Sequence, residues 1–459
     1  MGTISLQQAA QWCGGRIDPK YKDVTFLGAG NDTRKLEKGQ LFVALQGARD
    51  GHDFVPAALE KGAAAILCTH CDGDYPAIVV PDTRLALGEI AKQERLRLGM
   101  KVVCITGSVG KSTTKEMVTR VLSSTYRVQK TPVNHNNDIG VPMAVLSMPE
   151  DTEVAVLELG MNHFREIAYL SDIAKPDIAV IINIGTMHIE HLGSMEGILQ
   201  AKLEILEGMR DGGKIILNGD DPLLWNLHKT IKNNVYFGVN NTQCGVRGEN
   251  VEENTGVISM DIRCQKAEFP VELHLEGSHY VSDALAAVAV GMELGVAPEK
   301  IHESLARFQN MAGRQEIFKA GDITIIKDCY NAGPESMSAA LSVLGNRSGR
   351  RIAVLGDMLE LGVCTQAEHY KVGRIAAEKT DILFGYGPNS ERLISGAITG
   401  GMSDTMAKAF SDREKLVAQL KATAKLGDVI LFKGSRGMHL ELVLEQFLAE
   451  DRKSEEEYD

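Results

Sequence analysis

Three observations predict an α/β protein of three domains with a parallel sheet at its centre. The chain has 459 residues, and globular chains average about 150 residues per domain. Short, almost wholly apolar runs alternate with helix-patterned stretches, the rhythm of parallel strands buried on both faces. One such run, Lys101–Thr106, leads directly into a glycine turn and then a helix. Hydrophobic residues make up 44% and charged residues 24%, a globular composition and not that of a disordered chain.

The elements follow in order. Residues 1–98 form the first domain. Its apolar run Gln40–Leu45 is a buried strand, Phe54–Gly62 is a helix closed by glycine, and Ala63–Cys68 and Ala77–Val80 are further strands. Residues 99–312 form the central domain. After Lys101–Thr106 comes a helix whose Met117, Val118, Val121 and Leu122 make one apolar stripe facing the core. Strands are predicted at Val154–Leu159, Ile178–Ile184 and Lys214–Asn218, and the alternation near 240–275 predicts a small antiparallel insertion. Residues 313–459 form the third domain, with strands at Asp322–Lys327, Arg351–Leu355, Ile382–Phe384 and Val429–Phe432 in a second, Rossmann-like sheet. The charged tail 450–459 is expected to fray.

Charge and cysteine usage narrow the partners. With 49 Lys and Arg against 61 Asp and Glu, the net charge is −12. An acidic chain without a long basic run is not built to bind a nucleic-acid backbone. No apolar run reaches the ~18 residues that cross a bilayer, and the start lacks a charged segment followed by an apolar one. A cytoplasmic, membrane-free setting is therefore expected. The eight cysteines are scattered and read as free thiols. Cys68 and Cys71 have metal spacing, but no second pair completes a four-ligand set.

The chemistry concentrates in a few segments. Gly107, Ser108, Val109, Gly110, Lys111, Ser112 and Thr113 lie between a strand and a helix, the context that makes a glycine loop a phosphate cradle. Glycines turn backbone N–H groups inward, and the helix start adds positive potential. Lys111 can reach terminal phosphates and the Ser112 hydroxyl can ligate Mg²⁺. The loop is the short G-x-x-G-K-S form, since Ile105 stands where a longer loop begins. Glu158, near the end of an apolar strand, is costly there unless paired with a cation such as an arginine or set on a metal. His188, Glu190 and His191 follow the next strand and have ligand spacing. Lys202 on its own reads as an ordinary surface lysine. In the third domain Gly313-Arg314, Asp328-Cys-Tyr330-Asn331 and Lys433-Gly-Ser435-Arg436 put cations and hydrogen-bonding groups into turns, the last two just past strands.

These residues resemble the Mur ligases of peptidoglycan synthesis, and most closely the MurF branch, over nearly the whole chain. Asp32-Thr33-Arg34, Leu41–Leu45 and Arg49–His52 look like the family's module for the UDP-sugar end. Ile105–Met117 looks like its ATP loop and Thr131–Pro142 like its substrate loop. Asp328–Met337 and Gly356–Gly362 look specific to the MurF branch. The Asp-Asn-Pro-Arg motif of the diaminopimelate-adding relative is absent.

The resemblance implies an ATP- and Mg²⁺-dependent ligase joining D-alanyl-D-alanine to a UDP-N-acetylmuramoyl-tripeptide, as a monomer whose partners are small molecules. It implies that Lys111 binds the β- and γ-phosphates. Ser112 and Glu158 would hold Mg²⁺, and His188 would stand near a second Mg²⁺. Lys202 matches a lysine often carbamylated in the family, and as a carbamate it would be an anionic metal ligand. Asn218 and Asp283 would flank adenine, and Arg314 and Asp328 would reach ATP. Thr33, Arg34, Arg49, Asn134 and Asn137 would contact the UDP-linked peptide, and Lys433, Ser435 and Arg436 the dipeptide or acyl end. Asp283, Gly333 and Met187 stand where the family commonly has Asn, Asn and Ala. Two other readings share the loop. One is a sister ligase adding a single amino acid, or glutamate to folate; residues 32–52 speak against the folate branch. The other is a module that uses ATP only to switch conformation.

Overall fold

The computed structural model describes residues 3–254, 256–265 and 267–449; the tail 450–459 lies outside them. The described residues pack into two compact units. One holds residues up to Asn183 with Leu199–Val246 and Ala284–Ser304. The other holds Ile184–Ile198, Arg247–Asp283 and the described residues from Leu305 on.

The first unit contains two parallel arrangements. A small sheet has the order Ala29–Gly30, Leu41–Val43, Ala65–Cys68, Ala77–Val79, all parallel. Phe42, Ala44 and Ile66 pack with Val55 and Ala58 of the short helix Val55–Glu60, which ends before Gly62 at φ +86°. The larger parallel run is ordered Asn234–Gly238, Lys214–Asn218, Ile178–Ile181, Lys101–Thr106, Val154–Glu158, Val128–Lys130. Val102, Val103, Cys104 and Ile105 are all fully buried. Since successive side chains point to opposite faces, both faces are covered. The helix stripe Met117, Val118, Val121 and Leu122 is fully buried as well. From Lys101–Thr106 the chain crosses to the edge strand Val128–Lys130, returns through Val154–Glu158 and then continues on the other side through Ile178–Ile181, and this reversal places a topological switch point, the usual ligand crevice of open α/β sheets, at the carboxyl end of Lys101–Thr106.

The expected strand Ile178–Ile184 stops at Ile181. The chain leaves the sheet there because Asn183 turns onto the phosphate loop, as described below.

In the second unit the sheet order is Glu316–Ala320, Ile323–Asp328, Val429–Lys433, Arg351–Gly356, Ile382–Tyr386, Ala407–Phe410. All neighbours are parallel except the first pair. Ile326, Ala353, Leu355 and Leu431 face one core, and Ile325, Ile352, Val354 and Phe432 the other. The two edge strands, Glu316–Ala320 and Ala407–Phe410, have no apolar run and were not foreseen. The antiparallel insertion was: Val257–Cys264 pairs antiparallel with Ala267–Leu273, and the former alternates buried and half-buried along most of its length. No helix among the described residues is long and apolar enough to cross a membrane, and all eight cysteines are free thiols.

Candidate active site

The phosphate loop is built as its sequence requires. Strand Lys101–Thr106 ends at Gly107 and helix Lys111–Ser123 begins after Gly110. Gly110 has φ +87°, a conformation that a side chain would strain. No side chain caps this helix, and its positive dipole end opens at the loop. Asn183 braces the loop: its Oδ1 accepts from Ser108 N at 3.0 Å and Val109 N at 2.9 Å, and its Nδ2 donates to Val109 O at 3.0 Å. Lys111 Nζ rests on the loop's own carbonyls, donating to Gly107 O at 2.8 Å and Ser108 O at 3.2 Å.

Behind the loop lies a buried carboxylate. Ser112 Oγ donates to Glu158 Oε2 at 2.8 Å, and Asn136 Nδ2 donates to Oε1 at 2.9 Å. The partner cation is a lysine and not an arginine. Lys115 Nζ, on a fully buried side chain, lies 3.6 Å from Oε2 and donates to Thr131 O at 2.9 Å. Thr131 Oγ1 in turn accepts from Glu158 N at 3.0 Å. Burial pushes the Glu158 carboxyl up. The charges of Lys111 and Lys115, with the Ser112 and Asn136 hydrogen bonds, outweigh it, so the pKa ends below the usual carboxylate value. An ionised carboxylate beside a hydroxyl is a hard-oxygen donor pair of the kind Mg²⁺ takes. No group of three His, Cys, Asp or Glu side chains converges on a metal-sized site among the described residues.

Lys202 corrects an expectation. It is not on the surface but 1% exposed. Burial, with the charge of Lys111, drives its amine pKa well below the usual lysine value. Its neutral form is therefore favoured.

Several other residues expected at the site in this unit are held locally, and the rest are placed by backbone angle or exposure alone. Asn134 takes φ +66°. Asn137 Oδ1 accepts from Gly140 N at 2.8 Å at the start of helix Gly140–Leu146. Asn218 Oδ1 accepts from Asp220 N at 2.9 Å. Arg34 is exposed and grips Asp32 with two hydrogen bonds, 2.9 and 2.8 Å. Thr33 is half-buried beside it and Arg49 is exposed.

In the second unit, Lys433 at a strand end is 2% exposed. Its Nζ donates to Asp328 Oδ2 at 2.6 Å and to Asn331 O at 3.1 Å. Ser435 staples three loops: its Oγ donates to Ala332 O at 3.2 Å and accepts from Leu359 N at 2.9 Å, while its N donates to Asp357 O at 3.1 Å. Arg314 lies over the Tyr330 ring, 4.0 Å from its centre. Asp283 is buried on helix His279–Glu293. Arg436 is exposed and pairs with Glu441 at 3.2 Å. His188, at φ +66°, has Nδ1 2.7 Å from Glu360 Oε2, within ion-pair distance but off hydrogen-bond alignment. This contact outweighs burial and draws the Glu360 carboxyl below its usual pKa. Met187 and Gly333, two of the departures from the common family residues, touch: a Cβ on Gly333 would lie 2.9 Å from Met187 Cγ.

Lys115, Asn136 and Glu360 lie inside stretches that carry the family resemblance, yet neither they nor Asn183 is singled out as a site residue by the sequence. The one available signal was position. Asn183 ends an apolar run, Asn136 lies inside the substrate loop, and Lys115 stands one turn after Lys111.

Comparison with known proteins agrees with this geometry. Family models for the Mur ligase family catalytic domain, the Mur ligase middle domain and the Mur ligase glutamate ligase domain match residues 24–95, 105–291 and 313–436. The chain is 40% identical to the UDP-N-acetylmuramoyl-tripeptide–D-alanyl-D-alanine ligase of Bacillus subtilis, covering 95% of this chain and 96% of that one. It is 35% identical to the Escherichia coli protein of the same name, covering 97% and 98%. Among solved structures, MurF of Acinetobacter baumannii superimposes with a TM-score of 0.90 at 32% identity, covering 98% and 99%. MurF of Thermotoga maritima in complex with ADP gives 0.81 at 29% identity, covering 92% and 97%. A three-domain α/β chain with this loop, this buried carboxylate and these relatives belongs to the Mur ligase family, in its MurF branch.

Proposed function

We propose that the chain is an ATP-dependent ligase forming an amide between a UDP-N-acetylmuramoyl-tripeptide and D-alanyl-D-alanine, in the cytoplasm and as a monomer. The observation that supports it most is the braced phosphate loop whose Ser112 touches the ionised Glu158, in a chain whose near full-length relatives bear that activity in their names. Residues 1–98 serve the UDP end, 99–312 ATP, and 313–459 the incoming dipeptide.

The chemistry explains the parts. A free carboxylate resists an amine because it has no leaving group. Transfer of the γ-phosphoryl group to a carboxylate oxygen forms a new O–P bond, breaks the bond to ADP and leaves an acyl phosphate. The amine lone pair then attacks the acyl carbon, and the tetrahedral adduct expels inorganic phosphate and gives up a proton. The protein's share is alignment and charge neutralisation. Lys111 exchanges its loop carbonyls for β- and γ-phosphate oxygens, and the loop amides hold the chain of phosphates. When bound, Mg²⁺ supplies positive charge between two anions that must approach. Ser112 and Glu158 would hold it, with His188 and Lys202 serving a second ion. The neutral amine favoured at Lys202 is the form that adds CO₂ to become an anionic carbamate. Asn218 and Asp283 take the adenine end, and Arg314 and Asp328 contact ATP from the last domain. Thr33, Arg34, Arg49, Asn134 and Asn137 serve the UDP-peptide, and Lys433, Ser435 and Arg436 the dipeptide side.

The test is phosphate release from ATP and Mg²⁺ with the two substrates supplied separately and together. Release only with both, and a pentapeptide product by mass, is the expected result. Release with the tripeptide and a different amine would move the substrate to a sister branch. No stimulation by either would remove the ligase reading.

A further inference from the structure

We infer that two segments of the second unit, Gly333–Glu335 at the start of helix Pro334–Gly345 and the turn Glu360–Gly362, form a clamp on the histidine segment Thr186–Glu190, making Glu335 and Glu360 positioning residues for His188. Both segments come from stretches, Asp328–Met337 and Gly356–Gly362, of which the proposed chemistry uses only Asp328. That His188 acts in the reaction rests on the function proposed above; the clamp itself rests on contacts.

Residues Ile184–Ile198 pack with this unit although Asn183 and Leu199, their chain neighbours, do not. A segment so placed needs anchors, and four of the five residues Thr186–Glu190 meet one. Thr186 donates through N at 2.8 Å and through Oγ1 at 3.1 Å to Glu335 Oε1. Met187 fills the space that a side chain at 333 would take, since a Cβ on Gly333 would lie 2.9 Å from its Cγ. His188 Nδ1 faces Glu360 Oε2 at 2.7 Å. Glu190 lies against Gly362, where an added Cβ would sit 3.1 Å from Glu190 Cα. His188 and Glu360 are both non-glycine residues in the left-handed region, at φ +66° and +63°. Such backbone persists where surroundings over-determine it. Gly333 itself is extended, φ −144° and ψ 169°, so an alanine there meets no backbone objection and only Met187 stands in its way.

The experiment uses the full chain. Amide hydrogen exchange is followed over residues 184–192, alongside kcat and KM for each substrate. Glu335→Ala should speed exchange at Thr186 about tenfold or more, because the amide loses its acceptor. It should lower kcat about tenfold while KM for ATP and dipeptide stays within about twofold. Glu335→Gln, which keeps an acceptor oxygen, should restore both. Glu360→Ala should lower kcat in the same way. Gly333→Ala should act like Glu335→Ala, and adding Met187→Ala should reverse it. Unchanged exchange in Glu335→Ala and Gly333→Ala would overturn the clamp. Faster exchange with unchanged kcat would overturn the positioning role. A wild-type chain that forms no pentapeptide would instead sink the underlying function, with the exchange results still readable.

Discussion

Two lysines lie at or just beyond the carboxyl ends of parallel strands, one in each unit, and they are held in opposite ways. Lys111 rests on two carbonyls of its own loop, at 2.8 and 3.2 Å. Lys433 is locked at 2.6 Å onto the carboxylate of Asp328 in a site that leaves it 2% exposed. Neutral carbonyls are acceptors that a phosphate can displace, because a phosphate brings a full opposite charge to the ammonium and a carbonyl does not. A half-buried carboxylate already in an ion pair is not so easily displaced. The two loop carbonyls that Lys111 meets are thus contacts a phosphate can take over, whereas Lys433 is held as a part of the wall, organising Asp328 and Asn331 for whatever meets them.

The largest expected effect tests the first half of that contrast. Lys111→Ala should cost about 10²–10³-fold in kcat, the usual loss when one charge-stabilising donor is removed. Its stability should change by only about 1 kcal/mol, since neutral carbonyls lose little when one donor leaves. Steady-state phosphate release and a urea titration read the two numbers. Near-normal turnover would remove Lys111 from the mechanism. Lys433→Met should cost more stability. It leaves a partly buried Asp328 carboxylate without its cation, and stability should fall by about 2–3 kcal/mol. If the two variants lose equal stability, the distinction between an exchangeable and a structural cation is wrong.

The same contrast explains what could be read from the chain. The loop from Lys101 to Thr114 is contiguous, so strand, turn, cation and hydroxyl were all legible, and the strands Lys101–Thr106 and Lys214–Asn218 were placed to the residue. The braces were not legible. Asn183 lies some seventy residues from the loop it holds, and Asn136 and Lys115 reach Glu158 from two other elements. Nothing in local composition encodes such closures. Lys202 was misjudged as a surface residue for a related reason. A lysine on a helix looks solvated until the elements around it are packed. The edge strand Glu316–Ala320 was missed because its residues are at most half-buried, and strand patterning depends on burial.

A pH experiment sharpens the comparison on the Lys433 side. His279 lies near Asp328 and Lys433, and its ring lies tilted against that of Tyr280 with centroids 4.1 Å apart. Burial, with Lys433 adding to it and Asp328 opposing, lowers its pKa to about 4. The folded value is thus below the unfolded value of about 6.5. Under acid the unfolded chain binds more protons, so stability is lost as pH falls through about 6.5 and the loss levels off near 4. Between pH 7 and pH 5 the chain should lose about 1–2 kcal/mol through this group. Urea titrations of wild type and His279→Phe at both pH values measure it as the difference between their slopes. In Lys433→Met the His279 pKa should rise and that difference should shrink. An unchanged difference would mean that the Lys433 charge does not reach the ring.

The smallest expected effect on the fold comes from Arg34. Its guanidinium is exposed and, among the described residues, is held by Asp32, whose carboxyl it draws down to about 2. Exposed pairs contribute little to stability because water and salt screen them. Arg34→Ala should therefore leave Tm unchanged. Its proposed task is different in kind, since a planar guanidinium is suited to the diphosphate or carboxylates of the UDP-peptide. Losing one such contact should raise KM for that substrate about tenfold, with kcat and the KM for ATP unchanged. Raising the salt concentration should weaken the wild-type KM in the same direction and should flatten in the variant. Arg34 would then belong with Lys111, as a cation held loosely enough to change partners. A KM that does not move would place it instead with the surface pairs that do no more than keep each other company in solvent.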